Sequence, residues 1–325
     1  MAIPIIFYAI AGVLVGMGII ASAEEFDLDD LDNEESDCHQ DFIEFSDKLI
    51  VNDSKQQSLK SARIAIENKI KNYFRELDRY NIPRFNLHGS AKMGTQIRTH
   101  DDSCDYDVGI YFFKKPPHSF ETIQSHIKNA LEGHTSCKIN LRNKCVRLNY
   151  KNDFHIDMPI FYTENKIDYF LGSKGNNWNN CDSKIFKDWF LDKTGANEQI
   201  IRIIKYFKAW SDNYQHKLPS GLAFTVWVEK YYVEHERDDI AFTLTASNLL
   251  ENLNEDYYSA EYWECKMPVL PNDDLIENLD RNQKNNFKNA LENLIEEGTD
   301  ALKSEDYDYA MSIWTEQFGR WYGDK

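Results

Sequence analysis

Three aspartates have the residue type and spacing of a metal-dependent site. Asp105 and Asp107 stand two apart at the head of an apolar run, and Asp157 lies in a later strand-like segment. Because residues two apart in a strand point to the same face, Asp105 and Asp107 can present both carboxylates to one pair of divalent cations. Hard cations such as Mg²⁺ prefer oxygen ligands and keep substrate phosphates in their shell. A third carboxylate from a neighbouring strand would complete a two-metal clamp for phosphoryl transfer.

A Gly-Ser pair upstream of these acids has the residue types of a phosphate-binding turn. Gly89 and Ser90 follow a short apolar stretch, and a gap of helix length separates them from Asp105. We expect the pair to open a helix whose free backbone N–H groups hold a triphosphate, with the Ser90 hydroxyl adding a contact. Acids at the mouth of a buried strand are costly unless they bind something. The combination therefore favours a site over three unrelated surface carboxylates.

Hydrophobic periodicity predicts the elements that must position these groups. The run after Asp107 predicts a buried strand, and the alternation around Asp157 predicts a strand with one apolar and one polar face. The remaining predicted elements are a helix over 56–80, a strand over 85–88, a helix over 119–131, strands over 138–150 and 154–162, and mainly helices after 178. This order is typical of an α+β domain joined to a helical bundle.

Several segments resemble the polymerase β-type nucleotidyltransferases, and more closely the bacterial cGAS/DncV-like nucleotidyltransferases (CD-NTases) of CBASS antiphage systems. The resemblance covers roughly residues 40–325. The segments that carry it are Phe42–Glu44 through Phe74, His88–Thr95, Asp105–Asp107, His155–Pro159, Trp178, Cys181–Lys184, Trp189–Phe190, Ile201–Trp210, Leu218–Gly221, and Ala310–Trp314 with Phe318–Gly319.

The resemblance implies a fold, an activity and a set of ligands. The fold would be α+β, with a polymerase β-like nucleotidyltransferase palm of mixed sheet and helices, a C-terminal helical lobe, and the active site in the cleft between them. The enzyme would make a cyclic di- or trinucleotide second messenger from NTPs, with release of pyrophosphate. Asp105, Asp107 and Asp157 would be catalytic and would bind two Mg²⁺ or Mn²⁺ ions. ATP, GTP or both would be substrates, with pyrimidine NTPs left open, and an effector protein would sense the product.

Two residues in the C-terminal half are further candidates for nucleotide binding. Lys205 lies on the face of a predicted helix opposite its apolar residues, where it is either merely exposed or able to reach a cleft. The resemblance favours triphosphate binding by Lys205. Ser220 follows Pro219 at a predicted helix start, where a hydroxyl either caps the helix or binds an anion.

The chain divides into four predicted segments: 1–23, 24–40, 41–170 and 171–325. Residues 3–23 carry no charge and are long enough to span a bilayer as a helix. A membrane anchor, a signal peptide ending at Ala21-Ser22-Ala23 and a buried soluble helix are the three interpretations. An NTP-consuming enzyme needs the cytosol, which favours an uncleaved anchor in the bacterial inner membrane with the catalytic domain inside. Without an anchor, the expected location is the cytoplasm.

The acidic run over 24–40 predicts an extended, self-repelling tether, with autoinhibition of the cleft as the alternative. The last two segments are the predicted nucleotidyltransferase core (41–170) and the mainly helical lobe (171–325).

Composition excludes several classes of protein. The 325 residues include 37 Lys and Arg against 54 Asp and Glu, for a net charge of −17. This balance argues against broad binding to nucleic acid, which needs a basic surface, and favours a free nucleotide as substrate. The six cysteines include no C-x-x-C pair, which is typical of free thiols in a reducing compartment.

Two alternative functions use the same residues. One is transfer of a single nucleotide to a protein or RNA acceptor, which would yield a labelled macromolecule. The other is a catalytically silent nucleotide sensor, tethered to the membrane. A binding module has no need of three clustered acids, and the acidic chain offers no obvious surface for a nucleic-acid acceptor.

Overall fold

The structure is a computed structural model that describes residues 36–77, 81–151, 154–175, 177–180 and 183–323. The predicted anchor over 1–23 and most of the predicted linker over 24–40 lie outside the described residues. Within the described ranges, helices with the length and apolar character needed to cross a bilayer are absent.

Helices and strands alternate in the first half of the described chain, and helices dominate the second half. The helices are α1 (His39–Lys48), α2 (Asp53–Leu77), α3 (Gly89–Met93), α4 (Phe120–Ala130), α5 (Ser183–Thr194), α6 (Glu198–Asn213), α7 (Gly221–Tyr231), α8 (Asp238–Asp256), α9 (Arg281–Lys303) and α10 (Tyr307–Phe318). The strands are β1 (Arg84–His88), β2 (Asp105–Phe112), β3 (Ile139–Leu141), β4 (Cys145–Asn149), β5 (His155–Tyr162), β6 (Phe170–Ser173), β7 (Asn177–Asn180), β8 (Lys266–Met267) and β9 (Leu270–Asp274).

Strands β1 to β7 form one mixed sheet with β5 near its centre. The main order is β1-β2-β5-β4-β3, and β6 pairs with both β5 and β7. Strands β2 and β5 are parallel, and the other pairs of this sheet are antiparallel. The predicted α+β class and mixed-sheet palm are therefore confirmed.

One face of the sheet is buried under α2 and α4. Alternate residues of β2 and β5 point into this core, together with apolar residues of both helices. The buried strand residues are Tyr106, Val108, Ile110, Phe112, Ile156, Met158, Ile160 and Tyr162. Their burial sends the intervening residues, including Asp105, Asp107 and Asp157, to the opposite face, as the alternation predicted.

Some predicted elements were wrong. Residues 138–150 are not one strand, because the polar stretch between β3 and β4 is a tight turn that folds them into an antiparallel pair. Strands β6 to β9 were missed, since their short segments lack the apolar alternation that marks β2 and β5. The predicted helix over 56–80 is α2, which begins three residues earlier; residues 78–80 lie outside the described ones.

Two compact units make up the described chain. Residues 50–192 form the sheet unit, and residues 36–49 with 193–323 form the helical unit. The predicted boundaries differ at both ends. Helix α1 belongs to the helical unit because Phe42 packs edge-on against Tyr206 and Trp314 there. Strands β6 and β7 belong to the sheet unit because β6 hydrogen-bonds to β5.

A buried carboxylate holds α6 and α8 of the helical unit together. Asp238 is fully buried and accepts hydrogen bonds from Arg202 (2.6 and 2.9 Å), Gln199 (2.8 Å) and Tyr206 (2.9 Å). Burial alone would raise the pKa of Asp238, but the hydrogen bonds from Arg202 and Gln199 hold it below its ordinary value. The carboxylate is thus charged and satisfied without solvent.

Replacing Asp238 with Ala is expected to lower the free energy of unfolding by about 3 kcal/mol, because Arg202 loses its partner in a partly buried position. Asp256, exposed at the end of the same helix, is the matched control, and Asp256→Ala should change stability by less than about 0.5 kcal/mol. Urea denaturation of both variants measures the difference. Equal effects would contradict a stabilising role for the Asp238 network.

Candidate active site

The strand register brings the three aspartates to one region of the sheet face opposite the α2–α4 core. Asp107 on β2 lies directly opposite Asp157 on the parallel strand β5, and Asp105 lies opposite His155. Asp105 and Asp107 share a face because they are two residues apart. The predicted grouping of these three side chains is therefore what the register produces.

A basic side chain from the next strand neutralises Asp157. Arg147 on β4 is the register partner of Asp157 and forms a bidentate pair with it, Nε to Oδ1 at 2.7 Å and Nη2 to Oδ2 at 2.5 Å. Both side chains are mostly buried, with 16% of Asp157 and 22% of Arg147 exposed. Fork-shaped pairs of this kind are among the stronger charge-assisted contacts. No role at the site was predicted for Arg147 from the sequence.

Asp105 and Asp107 have different surroundings. The carboxylate of Asp105 is exposed and contacts Nε2 of His155. Asp107 is the more buried of the two, and burial, followed by the charges of Asp157 and Asp105, raises the pKa of Asp107 from an ordinary 3.8 to about 6. Arg147 and His155 offset part of this rise. Negative charge is thus concentrated at Asp107, where a cation would be favourable.

Because folding raises the pKa of Asp107, ionisation of this group lowers the stability of the protein. A carboxylate whose pKa is lowered by folding has the opposite effect. Between about pH 4 and 6 the folded protein holds the Asp107 proton and the unfolded protein has lost it. The free energy of unfolding therefore falls as pH rises across this range, and the full cost is present above about pH 6. In EDTA at pH 7.5, Asp107→Asn should therefore raise the free energy of unfolding by about 1–2 kcal/mol. The gain should vanish near pH 4, and denaturation curves at both pH values test it. A gain that is the same at both pH values would contradict the assignment.

Gly89 lies against the carboxylate of Asp107. Its backbone is left-handed, with φ +63°, and a Cβ there would overlap Oδ2 of Asp107 and lie 2.9 Å from its Cγ. Glycine meets both requirements, the backbone conformation and the close approach. The turn that starts α3 is therefore held directly beside the Asp107 carboxylate.

The predicted helix at the Gly-Ser pair is confirmed, and it is short. Helix α3 has five residues and ends at Gly94, which is left-handed and donates its N–H to the carbonyl of Ser90. Ser90 follows Gly89 in the first turn. The hydroxyl and the backbone of the turn are thus placed at the end of β1, which pairs with β2 beside Asp107.

A buried histidine next to this turn was missed by the sequence analysis. His88 ends β1 and shares a hydrogen bond with the hydroxyl of Tyr111, and its ring stacks on Tyr111 and Phe161. Burial lowers the pKa of His88 to about 4, so the imidazole is neutral at physiological pH. An isolated glycine within the strand, Gly109, was the available signal, because such glycines mark close approaches.

The two candidates from the C-terminal half lie in the helical unit. Ser220 is the N-cap of α7, and its Oγ accepts a hydrogen bond from the N–H of Ala223 at 3.3 Å. Of the two roles predicted for Ser220, helix capping is the one that this hydrogen bond shows. Lys205 on α6 is partly buried, which lowers its pKa, while Asp47 offsets some of the shift.

The donor set at the aspartates fits hard divalent cations, which prefer oxygen ligands. In the described ranges, groups of three or more His, Cys, Asp or Glu already arranged to hold a metal ion are absent. Arg147 and His155 contact Asp157 and Asp105, and like charges would otherwise repel across the strands. Binding two Mg²⁺ ions here would require Asp105 and Asp157 to exchange these partners for metal.

A known family of domains matches the part of the chain that carries the three aspartates. Residues 83–161 match the nucleotidyltransferase domain of the cyclic GMP-AMP synthase DncV-like family. This range contains β1, β2 and β5 with Gly89, Ser90 and all three aspartates. Over residues 83–161 the chain is thus similar to the DncV-like nucleotidyltransferases.

Individual relatives agree with this family. A cyclic GMP-AMP synthase of Escherichia albertii is 31% identical over 191 residues, which are 52% of this chain and 42% of that protein. A c-di-GMP synthase of Roseivirga ehrenbergii is 33% identical over 113 residues, 32% of this chain and 30% of that protein. The matches thus span less than half of the length of these relatives.

Solved structures share the fold over most of the chain. The DncV cyclic AMP-GMP synthase of Vibrio cholerae, in complex with the linear intermediate pppA(3′,5′)pG, has a TM-score of 0.76 at 17% identity and covers 89% of this chain and 97% of its own. The Bradyrhizobium diazoefficiens CD-NTase CdnG in complex with GTP has a TM-score of 0.68 at 12% identity, covering 86% and 94%. At these identities the likeness is one of fold.

Proposed function

We propose that this chain is a nucleotidyltransferase that joins NTPs into a cyclic dinucleotide or trinucleotide and releases pyrophosphate. The observation that carries the proposal is the register of β2 and β5, which groups Asp105, Asp107 and Asp157 on one face with the Gly89 turn against Asp107. The names of the two relatives, a cyclic GMP-AMP synthase and a c-di-GMP synthase, support a cyclic dinucleotide as product. The V. cholerae complexes with a nonhydrolyzable GTP and with a linear intermediate support NTP substrates.

Each residue has a defined part in this proposal. Asp105, Asp107 and Asp157 would hold two Mg²⁺ or Mn²⁺ ions. Such ions, when bound, lower the pKa of an attacking hydroxyl and neutralise the charge that develops on the phosphate. The backbone and hydroxyl of the Gly89-Ser90 turn would bind the donor's triphosphate.

The two residues of the helical unit keep smaller parts. Lys205 would add positive charge to the triphosphate contact, and its lowered pKa shows that burial already weakens its hydration. Ser220 would act first as a helix cap and only then as a nucleotide contact.

The bond changes follow from this arrangement. The ribose hydroxyl of the acceptor attacks the α-phosphorus of the donor, a phosphodiester bond forms, and the bond between the α-phosphorus and the bridging oxygen to the β-phosphate breaks. Pyrophosphate leaves with the bonding electrons, and the hydroxyl proton passes to solvent or to Asp157. A repeated transfer within the linear product closes the ring.

We also propose a biological setting for this activity. The resemblance to the CD-NTases supports a role in antiphage signalling, in which an effector protein senses the cyclic product. The uncharged stretch over 3–23 supports attachment to the inner membrane with the catalytic residues in the cytoplasm. Detection of the full chain in the membrane fraction, and its release when residues 1–23 are deleted, tests the attachment.

Pyrophosphate release tests the activity itself. The full chain is incubated with single NTPs and with pairs of NTPs, in Mg²⁺ or Mn²⁺, and pyrophosphate is followed by a coupled assay. We expect metal-dependent release that the Asp105→Ala/Asp107→Ala variant lacks. Release that is equal in the wild type and this variant would contradict the proposed function.

A further inference from the structure

One side chain connects the core of the active-site strands to the Gly89 turn. The ring of His88 lies against Gly109 of β2, where a Cβ would come 2.5 Å from both its Cδ2 and its Nε2 and 2.8 Å from Cε2 of Tyr111. A glycine in a strand interior weakens the strand, so its presence needs a reason. Here the reason is that any side chain at position 109 would displace His88.

Two stacked aromatic rings and a hydrogen bond also fix the position of the His88 ring. Its ring centroid is 5.4 Å from that of Tyr111 and 5.6 Å from that of Phe161, with interplanar angles of 25° and 27°. Tyr111 and Phe161 stack on each other at 4.8 Å, and both are at least 96% buried. The hydrogen bond between Nε2 of His88 and the Tyr111 hydroxyl sets the rotation of the imidazole.

The backbone links the position of His88 to that of the Gly89-Ser90 turn. His88 is the last residue of β1, in register with Asp107, and Gly89 follows it directly. Since Gly89 already touches the Asp107 carboxylate, a small shift of His88 would either press the turn into Asp107 or pull it away. The position of the turn relative to the aspartates therefore depends on a ring that packs against Gly109, Tyr111 and Phe161.

We propose that His88 is a positioning residue. Its packing against Gly109 and its hydrogen bond with Tyr111 hold the Gly89-Ser90 turn in register with Asp107. This inference rests on the proposed function, because it assigns the turn to the triphosphate. Its consequence is that Gly109 and Tyr111 affect nucleotide binding through His88.

The mildest test removes one hydroxyl. Tyr111→Phe keeps the ring stack and deletes the hydroxyl that shares a hydrogen bond with His88. The matched control is Tyr162→Phe, which removes a tyrosine hydroxyl from the opposite, core-facing side of the same sheet. With the full chain, we expect KM for NTP to rise about fivefold in Tyr111→Phe, with kcat within about twofold, and neither to change in Tyr162→Phe.

A more disruptive variant and a double variant test whether the change in nucleotide binding acts through His88. Gly109→Ala should displace the imidazole and lower kcat/KM about 30-fold or more, since small misplacements near a reacting group are costly. Tyr111→Phe combined with His88→Phe should be no worse than His88→Phe alone, because both remove the same hydrogen bond. A purely structural role would instead lower the melting temperature and leave the KM of the folded fraction unchanged.

Binding of a nonhydrolysable GTP analogue, measured by calorimetry in Mg²⁺, separates this inference from the proposed function. If the wild type binds the analogue and Tyr111→Phe binds it about fivefold more weakly, the inference holds. If the wild type binds it and Tyr111→Phe and Gly109→Ala bind it equally well, the inference is overturned and the proposed function stands. If the wild type itself binds neither the analogue nor NTP, the proposed function fails and the inference fails with it.

Discussion

Replacing Asp107 with Asn is expected to lower product formation by about 1,000-fold or more, which is about 4 kcal/mol of lost transition-state stabilisation. The carboxylate lies between Asp105 and Asp157 in the strand register and carries the concentrated charge that a divalent cation would neutralise. An amide of the same size keeps the packing against Gly89 and removes that charge. Initial rates of pyrophosphate release with Mg²⁺ measure the loss.

The stability of the same variant excludes a trivial explanation. Asp107→Asn should be more stable than the wild type at neutral pH in EDTA, so its loss of activity cannot come from unfolding. Asp188→Asn is the matched control, because Asp188 is an exposed aspartate of the same unit that pairs only locally with Lys187. Its activity should equal that of the wild type. A folded Asp107→Asn protein with more than a tenth of wild-type turnover would refute the role of this carboxylate.

Replacing Gly89 with Ala is expected to lower kcat/KM about 100-fold, because the turn must shift by a fraction of an ångström to relieve the overlap with Asp107. The left-handed backbone adds a cost to folding of about 1–2 kcal/mol. The kinetic loss should exceed anything this destabilisation causes, provided that assays are run well below the melting temperature.

Gly94→Ala separates the two effects. Gly94 ends the same short helix with φ +75°, and a Cβ there would meet nothing within 4 Å. It therefore imposes the same backbone cost on the same helix without touching Asp107. We expect a similar loss of stability and less than a threefold change in kcat/KM. If both variants lost activity equally, backbone strain and not contact with Asp107 would explain the glycine at position 89.

The pattern around the aspartates could be interpreted from sequence because it depends on local rules. Alternation placed Asp157 on the polar face of a strand, and a two-residue spacing placed Asp105 and Asp107 together. These are properties of a single strand, which hold whatever the partner strands are. The Gly-Ser helix start was predictable for the same reason, since it needs only the residues of α3.

Features that depend on strand register were not predictable. Arg147 reaches Asp157 only because β4 pairs with β5 in one register. The β4 sequence alone does not specify which residue of β5 lies opposite Arg147. The seat of His88 on Gly109 likewise requires β1 and β2 to be aligned. In the helical unit, Asp238 was not singled out, since a lone aspartate at a helix start is ordinarily an exposed residue.

The most direct test of the central claim is the identity of the product. The full chain is incubated with α-labelled ATP, GTP, CTP and UTP, singly and in pairs, with Mg²⁺ or Mn²⁺, then treated with phosphatase and separated by chromatography. The account predicts a small labelled product that resists phosphatase and is absent from Asp107→Asn. Label recovered only on protein or RNA would contradict cyclic-nucleotide synthesis and identify an acceptor-modifying transferase instead.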